Sequence, residues 1–186
     1  MDITTWILIS VGGVIILWII YAFNRLVTLR TRIDEAFSDI EVQLKRRYDL
    51  IPNVVETVKG YLTHERSVLE NVTKARTQAM GAQTATEHTQ AENALTGTLK
   101  TLFAVAENYP DLKANANFLD LQRVLADTEN KIQSARRFYN GNVRDLNVTV
   151  QSFPSMIIAG MFNFKKREFF DLEDNSPAQE PVAVNF

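Results

Sequence analysis

The chain has 186 residues, 46% hydrophobic and 23% charged, with a net charge of −2, which gives no bulk electrostatic basis for binding nucleic acid. It contains no cysteine, which excludes a disulfide framework, a thiol nucleophile and a thiolate metal site. Its two histidines, His64 and His88, are too far apart in sequence to form a ligand-spaced pair.

The first element is the apolar run Ile3 to Asn24, in which no charge falls between Asp2 and Arg25. As a helix it measures roughly 33 Å, the thickness of a bilayer's hydrocarbon core. Trp6 near one end and Trp18 and Tyr21 near the other suit interfacial anchors. A buried core helix would carry a polar stripe, and this run has none. A secretory signal peptide would place its positive charge before the run and small residues after it. Here the positive charge follows, at Arg25, Arg30 and Arg32, so the reading is a retained transmembrane anchor over residues 1–25. With no Lys or Arg before the run, the positive-inside rule puts the N-terminus outside and the body in the cytoplasm. The three arginines also read as a solvated helix face, and the two readings are compatible. Gly12 and Gly13 are candidate close-contact positions between anchors, although they do not form a small-xxx-small motif.

From Leu26 the pattern turns amphipathic without a turn signal. Phe37, Leu44, Ile51 and Val58 recur every seven residues, with Ile33, Ile40, Tyr48, Val55, Leu62 and Leu69 as a second row. Anchor and first body helix are therefore expected to be one element. Pro52 interrupts it, since proline lacks the amide donor and crowds the carbonyl at Tyr48. A kink, a tight break capped by Asp49 and a reversal of direction are all open, and Gly60 is a second soft point.

Met80 to Thr84 reads as a helix end and loop, with capping boxes available at Thr84-x-x-Glu87 and Thr89-x-x-Glu92. The next helix carries Leu95, Leu99, Leu102 and Ala106 on one face. It ends at Tyr109-Pro110-Asp111, where Asp111 is placed to cap its successor. The third amphipathic run is the most regular: Phe118, Leu125, Ile132, Tyr139, Leu146 and Phe153 lie at strict seven-residue intervals. Over its length this makes a helix of roughly 60 Å, suited to pairing with the first.

Pro154 stops that helix. A dense apolar segment follows, with Ile157, Ile158, Met161, Phe162 and Phe164, then Lys165, Lys166 and Arg167. It is too short to span a bilayer. It reads either as a short helix closing one end of the bundle or as a lipid or oligomer contact, aromatics in the acyl boundary and basic groups on phosphates. Residues 171–186, with four acids, two prolines and no Lys or Arg, read as a disordered acidic tail.

A search for chemistry finds no His-Glu-x-x-His, no phosphate-binding glycine loop and no Gly-x-Ser-x-Gly. Neither histidine has a glutamate three residues before it, as a di-metal bundle site would need. No enzymatic activity and no cofactor are expected. One stretch is over-specified, Gln43-Leu44-Lys45-Arg46-Arg47-Tyr48-Asp49-Leu50-Ile51-Pro52-Asn53. Three consecutive basic residues wrap a helix by about 300°, so at least one approaches the apolar seam and needs an acidic partner. Asp111 and Glu129 are candidates. A solvated basic ring whose aliphatic stems cover the seam is the alternative.

The chain resembles the LemA family of bacterial membrane proteins over residues 21–170. The blocks are Tyr21 to Val27, Glu41 to Asn53, Val58-Lys-Gly-Tyr61 with His64-Glu65, Glu107 to Ala114, Phe118 to Gln122, Thr128-Glu129, Ala135 to Asn140, and Asn147 with Phe153-Pro154. The Leu-Ile-Pro-Asn, Tyr-Pro-Asp-Leu-Lys-Ala and Ala-Arg-x-x-Tyr-Asn patterns are the specific ones; Pro52, Pro110, Asp111, Tyr139 and Asn140 within them, with Arg46 and Arg47 of the over-specified stretch, are expected to be structural positions. The resemblance implies one N-terminal anchor and a cytoplasmic bundle of about four helices. It supplies no reaction and no catalytic residues. Some relatives are associated with specialised internal bacterial membranes, which makes membrane organisation a lead.

The expected fold is all-α: a single N-terminal transmembrane helix continuing into an antiparallel, up-and-down bundle of about four long helices over residues 26–170. Two functions fit it. One is a structural protein whose anchored bundles self-associate among membrane lipids to scaffold or shape the membrane. The other is an adaptor that holds a cytoplasmic or membrane partner protein in a bundle groove.

Overall fold

The computed structural model describes residues 2–62 and 64–170. They form six helices: α1 (Ile3–Lys59), α2 (Arg66–Met80), α3 (Ala85–Ala106), α4 (Pro110–Lys113), α5 (Ala116–Gln151) and α6 (Ser155–Met161). Among the described residues there is no strand, so the class is all-α. The acidic tail expected at 171–186 lies outside the described residues. By packing, the chain divides into two compact units, one made of Met1–Ser38 with Arg137–Glu168, the other of Asp39–Arg136 with Phe169 and Phe170. α1 and α5 contribute to both.

In the second unit, α1, α2, α3 and α5 form an up-and-down bundle. Short connections reverse the chain between successive helices. Contacts fix the directions. Tyr48 of α1 lies beside Arg76 and Ala79 of α2, while Tyr61, beyond the end of α1, takes a hydrogen bond from Asn115 at the start of α5. Phe103 of α3 meets Phe118 of α5, their ring centres 6.0 Å apart. The core is the apolar row of each helix: Ile40, Leu44, Ile51, Val54 and Val58 of α1, Leu69, Val72 and Ala75 of α2, Leu95, Leu99 and Leu102 of α3, Phe118, Leu125 and Ile132 of α5.

Helix ends follow local chemistry. Thr84 and Glu87 form the capping box of α3, with the Thr84 hydroxyl accepting the Glu87 amide at 3.1 Å and Glu87 accepting the amides of Gln83 and Thr84. Those two amides hold the Glu87 carboxyl below its ordinary range. Pro110 takes the first position of α4, where its missing donor costs nothing.

Of the alternatives open at Pro52, the break and the reversal fail: α1 continues to Lys59, and the chain turns at the second soft point, Gly60 and Tyr61. The row that reads on through Leu62 and Leu69 is therefore carried by a turn and a returning helix, because a core is filled as well by an antiparallel neighbour as by the same helix. Asp111 caps no helix. It is exposed inside α4, and Asn115 caps α5 instead, its Oδ1 accepting the Phe118 amide at 3.1 Å. Asp49 likewise lies inside α1 and starts nothing.

In the first unit, the regular heptads of α5 end at Gln151, and α6 follows a cis Phe153–Pro154 peptide. Asn163, with φ 56°, turns the chain out of α6, a left-handed conformation that asparagine tolerates. The segment behind it is tied down by side chains. Asn147 of α5 brackets Arg167, donating to its carbonyl and accepting its amide at 2.9 Å each. Tyr139 donates to the Glu168 carbonyl at 3.1 Å and stacks at a tilt on Phe37.

Candidate functional site

Two regions carry the residues singled out by the sequence. The first is the N-terminal part of α1. From Ile3 to Leu17 every residue is exposed except Gly12, which is half-buried, although nearly all are apolar. No other described helix is long and apolar enough to cross a membrane. A core helix would hide such a surface, so its natural solvent is lipid. Trp6 and Tyr21 are exposed on it, and Trp18 is half-buried. A side chain added at Gly12 or Gly13 would meet nothing within 4 Å, so both present open backbone. Cover begins at Trp18 and is complete at Ala22 and Leu26. Arg25, Arg30 and Arg32 follow on the exposed side.

Beside this point lies the apolar C-terminal segment. Phe23 meets Phe162 edge-on at 4.7 Å between ring centres and Phe164 at 5.9 Å. Ile158 and Ala159 are buried; Ile157, Met161 and Phe162 are exposed, as are Lys165, Lys166 and Arg167. Arg167 pairs with Asp34 at 3.1 Å. Between Phe23, Arg30, Phe162 and Phe164 is a groove of 450 Å³.

The second region is a buried ion network in the four-helix unit. Arg47 of α1 is 3% exposed. Its Nη1 lies 3.0 Å from Glu92 of α3 and 3.0 Å from Glu129 of α5, and its Nη2 donates to Thr96 at 2.7 Å. Tyr48 donates to Glu92 through a short hydrogen bond and lies 3.3 Å from the Ala79 carbonyl. Burial, then the Glu92 carboxylate, push the Tyr48 phenol well above its ordinary value. Arg136 of α5 is also buried; its guanidinium lies 5.0 Å from the centre of the Phe170 ring, and burial lowers its pKa. Phe170 also stacks on His88.

Of the two acids expected near the basic stretch, Glu129 lies against Arg47, and Asp111 makes no ion pair among the described residues. Arg46 points outward, close enough to help hold the Asp127 carboxyl low behind its main partner Lys131. Pro52 and Pro110 are exposed, Tyr139 is buried and Asn140 half-buried. Arg136 is a member that sequence reasoning missed; Tyr48 reads in the sequence as an apolar-row residue, and the capping role open to Thr89 and Glu92 is overturned, because both lie buried inside α3. A signal for the Arg47–Glu92 pair existed: Ile33, Ile40, Arg47 and Val54 form a seven-residue row, and Glu92 continues the row of Leu95, Leu99 and Leu102. A charged residue on an apolar row marks a buried pair.

Glu92 is fully buried, with one oxygen on Arg47 and the other on Tyr48, while the Glu129 side chain is 30% exposed and the buried Arg136 Nε has no hydrogen-bond partner among the described residues. The network's charges hold three helices in register. Among the described residues no group of three or more His, Asp or Glu is placed to hold a metal.

A model of the LemA family matches residues 36–186. Magnetosome protein MamQ 1 and MamQ 2 of Paramagnetospirillum magneticum are each 23% identical over 174 residues, covering 80% of this chain. Magnetosome protein MamQ of Magnetospirillum gryphiswaldense is 24% identical over the same length. The chain spans 64% of the length of these relatives.

Proposed function

This chain belongs to the LemA family and is a membrane-associated helical protein, and we propose that it is a non-enzymatic membrane organiser. In this reading it is a single-pass protein of the bacterial inner membrane, N-terminus outside and bundle in the cytoplasm, whose copies self-associate to scaffold or shape the membrane. The observation that supports it is the continuity of α1. One unbroken helix runs from a bare apolar surface at Ile3–Leu17 to the bundle core at Val58. Contact between anchors, through the open backbone at Gly12 and Gly13, is thereby joined to the bundles by a single helix. The engagement of both Glu92 oxygens by Arg47 and Tyr48 supports a structural role for that pair, and the MamQ relatives, named for the magnetosome, fit membrane organisation.

The cysteine-free chain allows a direct test. Single cysteines placed from Ile3 to Leu17, oxidised in membranes, should give cross-linked pairs at one helical face that includes Gly12 or Gly13. No cross-link at any position contradicts self-association through the anchors.

A groove of 650 Å³ between α1 and α2, floored by Val55, Leu62 and Leu69 and rimmed by Lys59, Arg66 and Glu70, favours a second reading as an adaptor. It predicts one stoichiometric partner on co-purification; recovery of this chain alone counts against it.

A further inference from the structure

A surface helix turns a polar face to water. α6 does not. Ile158 and Ala159 face inward, and the opposite side consists of Met156, Ile157, Gly160 and Met161, all exposed and none polar. Phe153, before α6, is 79% exposed and Phe162, after it, 52%. Such a helix is apolar on both sides, so water is the wrong solvent for its outer face.

Its position suggests the right one. From Ile3 to Phe23, α1 rises about 30 Å, the depth of a bilayer's hydrocarbon core. Phe23 thus marks the boundary where α1 leaves the lipid, and Phe162 and Phe164 rest against it. Within two residues the composition turns basic. Lys165 and Lys166 are exposed and make no ion pair among the described residues, and Arg30 lines the groove beside Phe162. Apolar side chains at acyl depth with cations one step beyond are the arrangement of an interfacial membrane helix.

We propose that α6 and the segment behind it are a second membrane contact, with Met156, Ile157 and Met161 in the acyl boundary and Lys165 and Lys166 on anionic lipid headgroups. The proposal rests on the anchor of the reading above and not on self-association. A second copy is the less favoured occupant, because a symmetric contact through this face would bring the same lysines together.

The test uses the full chain in phosphatidylcholine vesicles containing roughly a quarter phosphatidylglycerol. Nitroxide spin labels are placed singly at Ile157→Cys, Met161→Cys, Ser38→Cys as the aqueous reference and Val14→Cys as the lipid reference. Labels at 157 and 161 are expected to lose collisions with a water-soluble nickel complex relative to Ser38 and to gain collisions with oxygen. Nickel collisions equal to those at Ser38 overturn the proposal. So does loss of both kinds of collision with dipolar broadening between labels, which would place a second copy on this face. If 157 and 161 are water-exposed while Val14 remains in lipid, the second contact fails and the anchor stands; nickel access at Val14 itself overturns the anchor too. Lys165→Glu with Lys166→Glu should restore nickel access at 161, and an unchanged depth overturns the headgroup contact.

Discussion

Arg76 of α2 donates its Nε to the backbone carbonyl of Tyr48 at 2.7 Å, and Pro52 is the reason that carbonyl is available. The amide that would bond it within α1 belongs to residue 52, which as proline has none. The helix survives its proline because a neighbouring helix supplies the donor, and the repair ties α2 to α1 beside the ion network. In thermal unfolding of the full chain in detergent, Arg76→Met should cost about 1–2 kcal/mol by leaving a part-buried carbonyl unpaired. In a Pro52→Ala background, where residue 52 can donate, the same substitution should cost distinctly less. Equal costs in the two backgrounds would separate Arg76 from the proline.

Arg47 and Glu92 predict a second non-additive pair. Their side chains are 4% and 0% exposed. Removing one charge strands the other, so Glu92→Leu should destabilise the bundle by about 3–5 kcal/mol, or on the order of 10 °C in Tm. Arg47→Met combined with Glu92→Leu should recover much of that loss, because an apolar pair replaces a desolvated ionic one. A double variant as unstable as the sum of its singles would show that the charges are not coupled.

Tyr48 sets the alkaline behaviour. Its folded pKa is raised above the ordinary value of 10.0 by burial and by the Glu92 carboxylate. Above pH 10 the unfolded chain therefore releases a proton that the folded chain keeps. The stabilisation is complete below pH 10 and is lost as pH rises beyond it. Tyr48→Phe should lower stability near neutral pH by about 1–2 kcal/mol and flatten the decline above pH 10. A decline of unchanged slope would assign it to other groups; Tyr139, also raised by burial, is the next to substitute.

Much of this architecture is legible in the sequence, and the failures share a cause. The uncharged run from Ile3 to Asn24, the heptads from Phe118 and the Thr84–Glu87 box are local patterns, and each appears as a helix or a cap where its pattern lies. Pro52 was the stronger breaker by propensity, yet the turn falls at Gly60. The compensating donor, Arg76, is distant in sequence, and propensity counts only neighbours. The partner of Glu92 lies 45 residues away, so its place on an apolar row can mark a buried charge but cannot name Arg47 as the group that faces it. Arg136 against Phe170 likewise exists only once helix α5 and the segment that follows α6 are brought together.

The central claim is that this chain works as an assembly in the membrane. The most direct measurement is the mass of this chain held in native-membrane nanodiscs and counted particle by particle. The account predicts a discrete multiple of the 21.1 kDa chain, dispersing when Gly12 and Gly13 are both replaced by leucine. A single population at the mass of one chain, unchanged by those substitutions, would contradict it.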